Sequence, residues 1–255
     1  MATAKFFGEA SKQLLGVYHP PRGAGAGDRG VLLCYPGPQE YMRTHWAFRN
    51  LADLLTRAGL HVFRFDYYGT GDSAGASDAG SVSQWLEDIV LAATELQDVA
   101  GVTRISLVGL RVGAALAALA CRGRLRAREL VLWEPVVDGA AYLEELRQVE
   151  RTRNLHHLYP PGGDPGGELL GYPFPSAMAQ AIGELNLLER APEAVERVAV
   201  VASQARESYR ALCAAWKTPA PELLEIREEA ASAREGVLMS PRQLQGITDF
   251  IKRAS

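Results

Sequence analysis

The stretch that most constrains this chain is RISLVGLRVGAALAALA, residues 104–120. Ile105–Val108 is a short apolar run typical of a buried strand, and Ala114–Cys121 is a run of small residues typical of a helix. The turn between them, Gly109–Gly113, has a glycine at each end. Glycine lets a backbone pass close to its neighbours, so the pattern predicts a sharp strand–turn–helix unit whose middle residue projects above a sheet.

Arg111 occupies the middle of that turn. In the same context a G-x-S-x-G segment presents a nucleophilic serine, but here an arginine holds the serine's position. A guanidinium stays protonated and has no acceptor atom, so Arg111 is neither a nucleophile nor a general base. The turn therefore predicts the geometry of a nucleophile elbow without the reaction that usually accompanies it.

Composition narrows the classes of function. With 255 residues and 47% hydrophobic content, one domain with a full core is expected. The net charge of −3 and the lack of a basic run disfavour nucleic acid as a partner, and no stretch approaches the roughly 20 apolar residues that span a bilayer. The N-terminal segment lacks the apolar core of a signal peptide, and three scattered cysteines favour buried free thiols. We expect a cytoplasmic protein with no metal and no cofactor.

Strands and helices alternate from residue 31 to residue 134, which predicts a mostly parallel sheet with helices on both faces. Two apolar stretches before them predict an opening antiparallel hairpin. The predicted strands are Lys5–Phe7, Leu14–His19, Val31–Tyr35, His61–Phe65, Ile105–Val108, Glu129–Trp133, Val195–Ala202 and Leu223–Arg227. The predicted helices are Tyr41–Ala58, Val82–Val99, Ala114–Cys121, Tyr142–Arg153, Ser176–Leu188 and Ser240–Ala254.

An insertion interrupts this alternation between residues 139 and 189. It contains a polar helix, a loop rich in proline and glycine, and a second helix. We interpret residues 1–138 and 190–255 as the core of the fold and residues 139–189 as a helical lid or cap. A dimer contact is an equal alternative for the insertion. Its His156 and His157 reach the site from a lid in one interpretation and belong to an exposed polar loop in the simpler one.

Three local stretches resemble the α/β-hydrolase superfamily, namely CYPG at 34–37, FDYYGTGDS at 65–73 and GLRVG at 109–113. The resemblance covers nearly the whole chain and implies an eight-stranded, mostly parallel sheet flanked by helices, with a helical lid. Within the superfamily the chain is most similar to the bacterial serine-aminopeptidase-like group, which includes exosortase-associated hydrolases and proteins of natural-product gene clusters. That similarity depends on the stretches FFGE, LLGVYHPP, PGPQEYMRTH, FDYYGTGDSAG, GLRVGA and LWEPVVDG.

The residues of a Ser-His-Asp triad are missing from the positions that the resemblance implies. In the superfamily a histidine follows the last strand and acts as general base. All five histidines of this chain precede Leu223. The segment after the preceding strand offers only Glu207 as an acid, and the pattern around Glu207 indicates a helix. The sequence therefore argues against a serine-hydrolase mechanism.

Ligands of doubly wound sheets bind at the carboxyl ends of the strands, where Arg111 and the start of its helix are expected. One hypothesis is that Arg111 and the Val112 amide hold a carboxylate, a phosphate or an enolate oxygen. The other is that Arg111 pairs with Glu40 or Glu134 and fills an inactive pocket. The residues predicted to contact a substrate at this edge are Gly37, Pro38, Gln39, Tyr67, Tyr68, Leu110, Val112 and Trp133.

Four further side chains are candidates for moving protons. Glu40 is either a general base or counter-ion, or simply a carboxylate at a helix N-terminus. His45 shares a helix face with Tyr41 and titrates near neutral pH, although a structural histidine is the more common case. Glu134 and Asp138 follow the strand after the elbow, as functional acids or as solvated or ion-paired groups.

Other residues have simpler interpretations. Asp66 is expected to hold its own glycine-rich loop, and Cys34 to be a core thiol. The rings of Tyr67, Tyr68 and Trp133 either wall the crevice or pack in the core.

Two functions remain open from sequence. The first is a serine-free hydrolase, lyase or cyclase acting on an acyl or carboxylate-bearing biosynthetic intermediate, with a small molecule or a carrier protein as partner. The second is an inactive relative that serves as a binding or accessory protein. An open pocket with Arg111 within reach of a ligand favours the first, and an Arg111 held in an ion pair favours the second.

Overall fold

An eight-stranded sheet organises the computed structural model, which describes residues 2–22, 27–152, 167–227 and 241–253. The strands in chain order are β1 Thr3–Phe7, β2 Leu14–His19, β3 Arg29–Cys34, β4 His61–Phe65, β5 Arg104–Leu110, β6 Ala127–Trp133, β7 Glu168–Leu169, β8 Tyr172–Pro173, β9 Val195–Ala202 and β10 Pro221–Glu225. The sheet runs β1-β2-β4-β3-β5-β6-β9-β10, while β7 and β8 form a small separate hairpin. Within the eight-stranded sheet the strands β4-β3-β5-β6-β9-β10 pair in parallel. Strands β1 and β2 form the predicted antiparallel hairpin, and β2 also pairs antiparallel with β4.

Helices flank the sheet, so the predicted fold class is confirmed. They are α1 Pro38–Arg57, α2 Val82–Ala100, α3 Val112–Ala120, α4 Gly139–Thr152, α5 Ser176–Gly183, α6 Glu207–Ala215 and α7 Pro241–Lys252. Helix α2 begins where the Ser81 hydroxyl accepts a hydrogen bond from the Gln84 amide, and it ends at Gly101 in the left-handed conformation. Helix α1 begins directly after Gly37, with a proline in its first turn.

The predicted helix 176–188 is too long. Helix α5 ends at Gly183, and Asn186 then pairs with Asp138 in an isolated β-bridge. The Leu187 amide donates to the carbonyl of Val137. This segment is extended because its backbone bonds to the chain that follows β6, a partner that the local apolar pattern does not reveal.

The described part of residues 139–189 packs beside the sheet rather than within it. Helices α4 and α5 approach closely at Gly139, where a Cβ would lie less than 3.0 Å from the carbonyl oxygen of Ile182. The Pro/Gly loop, with His156 and His157, falls mostly outside the described residues. The role of this segment as a lid stays a prediction.

No helix in the described ranges is both long and apolar enough to cross a membrane.

Candidate active site

The turn between β5 and α3 has the geometry of a nucleophile elbow. Arg111 has φ 53° and ψ −118°, a conformation that costs a non-glycine residue about 1–3 kcal/mol. A Cβ on Gly113 would lie less than 3.0 Å from the carbonyl oxygens of Cys34 and Tyr35. The Arg111 amide donates to the Trp133 carbonyl, so the ends of β3 and β6 fix the turn from both sides.

The side chain of Arg111 lies in a closed set of contacts that we call the elbow cluster, formed by Arg111, Glu40, Tyr142 and Glu145. Its Nε donates to Glu40 Oε1 at 3.0 Å and its Nη2 to Glu145 Oε1 at 2.7 Å. The guanidinium lies 5.1 Å from the centre of the Tyr142 ring, and the Tyr142 hydroxyl donates to Glu40 Oε2 at 2.9 Å. Only 12% of the Arg111 side chain is exposed. The cation that the elbow presents is therefore covered by two carboxylates and a ring.

The protonation states of Arg111 and Tyr142 are fixed at neutral pH. Burial lowers the pKa of Arg111, but Glu40 and Glu145 outweigh burial and raise it above the ordinary value. Burial, and then Glu40, raise the pKa of Tyr142 well above its ordinary value. Arg111 stays charged and Tyr142 stays a hydrogen-bond donor, so neither exchanges protons near neutral pH.

The first turns of α1 and α3 supply further donors near this cluster. Gln39 is buried, and its Nε2 has no hydrogen-bond partner among the residues that the structure describes. A Cβ on Gly37 would lie 3.2 Å from Gln39 Oε1 and 3.9 Å from the Tyr142 hydroxyl, which places the amide and the phenol around the same glycine. In α3 the first intrahelical bond is made by Ala114, so the Val112 amide precedes it.

Comparisons with known proteins agree with this architecture. The family described as "Serine aminopeptidase, S33" matches residues 28–200, about two thirds of the chain and the elbow included. The chain belongs to the serine aminopeptidase S33 family. No curated protein matches.

Solved structures share the fold of this S33 family member at low sequence identity. Est1E from Butyrivibrio proteoclasticus, with ferulic acid bound, has a TM-score of 0.70 at 17% identity, covering 98% of this chain and 97% of that one. An esterase from Pyrococcus furiosus has a TM-score of 0.69 at 15% identity, over 99% and 90% of the two chains. A monoglyceride lipase from Saccharomyces cerevisiae, with a substrate analogue, has a TM-score of 0.69 at 12% identity, over 100% and 94%. Identities this low show a common fold only.

The acids that follow β6 in this S33 family member hold backbone rather than Arg111. Glu134 has φ 43°; its Oε1 accepts from the Ser203 amide at 2.5 Å and its Oε2 from the Tyr209 hydroxyl at 3.1 Å. Asp138 is exposed, and its Oδ1 accepts from the Ala141 amide at 2.8 Å in the first turn of α4. Glu134 thereby ties the end of β6 to the end of β9, and Asp138 caps a helix.

Glu145 and Tyr142 are the members of the elbow cluster that the sequence analysis missed. They lie three residues apart on α4 and so share one face of that helix. A face carrying a tyrosine and a carboxylate, soon after the strand that follows the elbow, is the only signal that points to them. The exposed Arg206 extends the pairing outward, with its Nη1 3.7 Å from Glu145 Oε2.

His45 lies on the outer side of α1. Its exposed ring stacks on Tyr35, with 6.3 Å between the ring centres. Partial burial, and to a smaller extent the charge of Arg64, lower the pKa of His45 below the ordinary value. Among the described residues no hydrogen bond joins His45 to the elbow cluster.

Asp66 lies directly after β4, at the start of the glycine-rich loop. Asp66 accepts from the Tyr41 hydroxyl at 2.6 Å and from the Asp72 amide at 3.1 Å, so it holds its glycine-rich loop as expected. Burial raises the pKa of Asp66.

The three predicted aromatic side chains pack away from the elbow cluster. Tyr67 packs in the core against Phe65 and Trp85, and the Tyr68 ring lies beside Lys12, whose Nζ is 5.9 Å from the ring centre. Trp133 is fully buried, with its Nε1 donating to Gln243 Oε1 at 3.1 Å. Leu110 is also buried.

No group of three His, Cys, Asp or Glu side chains able to hold a metal occurs within the described ranges.

A buried arginine keeps one histidine neutral beneath this edge of the sheet. Arg64 Nε donates to His19 Nε2 at 3.0 Å, and its Nη1 donates to the Tyr35 hydroxyl at 2.8 Å. That bond requires an unprotonated Nε2. Burial, Arg64 and Arg22 together lower the pKa of His19 to about 4.

Stability is therefore expected to fall in acid. Between pH 6.5 and pH 4 the unfolded chain binds a proton at His19 that the folded chain does not, so the contribution is complete above pH 6.5 and is lost as the pH drops to 4. We expect a loss of about 1–2 kcal/mol in the free energy of unfolding across this window. Urea unfolding at several pH values measures it, and His19→Gln should flatten the slope much more than His45→Gln. Equal slopes in wild type and His19→Gln would contradict the assignment.

Proposed function

We propose that this S33 family member does not catalyse acyl transfer and works as a binding or accessory protein. The observation that carries the proposal is the elbow cluster. Arg111 stands at the position of the family's nucleophile, and it is held by Glu40, Glu145 and the Tyr142 ring. Opening this cation to a ligand means separating it from two carboxylates, one of them largely buried.

The other two roles of a triad also lack a free group. Glu134 lies at the end of the strand after the elbow, and both of its carboxylate oxygens accept hydrogen bonds, one from Ser203 and one from Tyr209. The sequence holds no histidine after Leu223 to act as general base. The elbow therefore has no nucleophile, its nearby acid is already hydrogen-bonded, and no histidine follows the last strand. These three observations support a binding role rather than catalysis.

The cellular setting belongs to the same proposal. The chain's stretches similar to exosortase-associated hydrolases and to proteins of natural-product gene clusters suggest a cytoplasmic accessory role in biosynthesis. A carrier protein or an acyl-type small molecule is the partner that such a role calls for.

A second candidate is a serine-free enzyme, and one observation favours it. The buried Gln39 Nε2 has no partner among the described residues, and the Val112 amide precedes the first bond of α3. A substrate carbonyl or carboxylate satisfies such donors if it displaces Glu40 from Arg111. Glu40, once released from Arg111, is then the group placed for proton transfer, because Glu134 and Asp138 are bound to backbone amides and His45 makes no hydrogen bond to the elbow cluster within the described residues.

Turnover of an acyl panel tests whether the protein catalyses acyl transfer. The panel contains p-nitrophenyl esters of acetate, butyrate and octanoate, an acyl thioester, and aminoacyl p-nitroanilides. We expect the wild type to match the buffer rate on each substrate, and Arg111→Ala to do the same. Arg206→Ala serves as the control, because Arg206 is exposed at the rim of the cluster.

Wild-type turnover that falls 100-fold or more in Arg111→Ala, and not in Arg206→Ala, would replace the proposal with the serine-free enzyme. Turnover that persists in Arg111→Ala would also contradict it, since another group must then carry the chemistry. Circular dichroism of each variant verifies that the fold is intact.

A further inference from the structure

One face of α1 exposes large apolar side chains next to two arginines. Met42 is 71% exposed and Trp46 is 67% exposed, more than the other large hydrophobic residues that the structure describes. They lie four residues apart, and Arg49 follows three residues later on the same stripe. We call Met42, Arg43, His45, Trp46 and Arg49 the Trp46 face.

The charge of the Trp46 face is positive. The guanidinium of Arg49 lies 5.4 Å from the centre of the Trp46 ring. Within the described residues neither Arg43 nor Arg49 forms an ion pair, while both acids of α1 are engaged: Glu40 binds Arg111, and Asp53 binds Arg22 and Arg57. The chain as a whole has a net charge of −3, so this face departs from the rest of the molecule.

We propose that the Trp46 face docks an acidic helix of another protein, with an apolar side chain of that helix against Met42 and Trp46. Tryptophan and arginine are the residues that most often dominate the binding energy of protein interfaces. Two free guanidiniums flanking an apolar centre complement carboxylates that flank an apolar side chain.

The other occupants fit less well. A two-fold dimer through this face would set two positively charged faces against each other, which places like charges together. A membrane needs a longer apolar stripe than two side chains for stable binding at an interface.

The inference does not depend on what the elbow does. Met42 and Trp46 lie two and six residues after Glu40, about 3 and 9 Å along the helix axis, so a docked partner lies beside the elbow cluster. A binding protein and a serine-free enzyme can both use such a surface.

The test uses a labelled 18-residue amphipathic peptide with leucines on one face and glutamates on the other, in fluorescence anisotropy. We expect binding that weakens with salt and falls at least tenfold in Trp46→Ala and in the double variant Arg43→Glu/Arg49→Glu. Phe6→Ala is the control, since Phe6 is 55% exposed on β1 and should leave binding unchanged.

Several outcomes would overturn the proposal. Absence of binding would do so, as would equal affinity for an isomer with lysines in place of the glutamates or equal loss in Phe6→Ala. Cosedimentation with phosphatidylglycerol vesicles but no peptide binding would assign the face to a membrane. A dimer in sedimentation that Trp46→Ala dissociates would assign it to a second copy.

Discussion

Gly113→Ala is expected to cost at least about 3 kcal/mol of folding free energy, and the protein is expected to express mainly as insoluble material. The added Cβ would meet the carbonyl oxygens of Cys34 and Tyr35 at less than 3.0 Å. Both atoms belong to backbone at the end of β3, between β4 and β5, so neither moves without disturbing the sheet. Helix α3 would have to shift outward and would pull the elbow with it.

Gly183→Ala is the matched control for this prediction. Gly183 also lies in a helix, and a Cβ there would meet only Leu143 Cδ1, at 3.4 Å, an ordinary contact. Replacing a helical glycine by alanine at an open site raises helix stability by up to about 1 kcal/mol. The two variants should therefore move the thermal midpoint in opposite directions, which differential scanning calorimetry of Gly183→Ala and of the soluble fraction of Gly113→Ala measures.

If Gly113→Ala loses little folding free energy, α3 and β3 are farther apart than the structure places them. The elbow would then be a loose turn, and the strained φ of Arg111 would not be held by its surroundings. The same result would weaken the case for a preserved nucleophile-elbow geometry.

The sequence predicts the backbone of the elbow because the cause is local. Two glycines four residues apart, between an apolar strand and a run of alanines, allow few other structures. Strand β4 is also predicted at its observed bounds, since Gly59 and Asp66 enclose a short apolar run. These features depend on residues close together in the chain.

The partners of Arg111 depend on residues far apart in the chain. Glu40 comes from α1 and Glu145 from α4, 71 and 34 residues away. Which carboxylate meets the guanidinium is decided by how α4 packs, and no local pattern specifies that packing. The same holds for Glu134, whose engagement with Ser203 requires β9 to lie beside β6. Sequence alone therefore leaves open whether Arg111 faces a ligand or an ion pair.

The opposite edge of the sheet holds another buried charge. Its removal is expected to lower the free energy of unfolding about as much as Gly113→Ala does. Glu129 on β6 is fully buried; its Oε2 accepts from Arg29 Nη2 at 3.2 Å and from the Ser106 hydroxyl. Arg29 Nη2 also donates to the Ile251 carbonyl at 2.7 Å, so the pair joins β3, β5, β6 and α7. Glu129→Ala leaves the guanidinium of Arg29 buried without its carboxylate and also removes the ion pair between Glu129 Oε1 and Arg128 Nε, which lie 3.1 Å apart. We expect a loss of about 3–5 kcal/mol in the free energy of unfolding.

Urea unfolding of Glu129→Ala beside Asp28→Ala measures this loss against an exposed pair. Asp28, the residue before Arg29, forms an ion pair with Arg104, and both side chains are half exposed. Asp28→Ala should therefore leave the urea midpoint unchanged. The double variant Arg29→Met/Glu129→Leu separates charge from packing. If the cost of Glu129→Ala is an uncompensated cation, replacing both partners by apolar groups restores most of the stability. If the double variant stays as unstable as Glu129→Ala, the hydrogen bonds to Ser106 and Ile251 hold this edge together, and the ion pair itself contributes little.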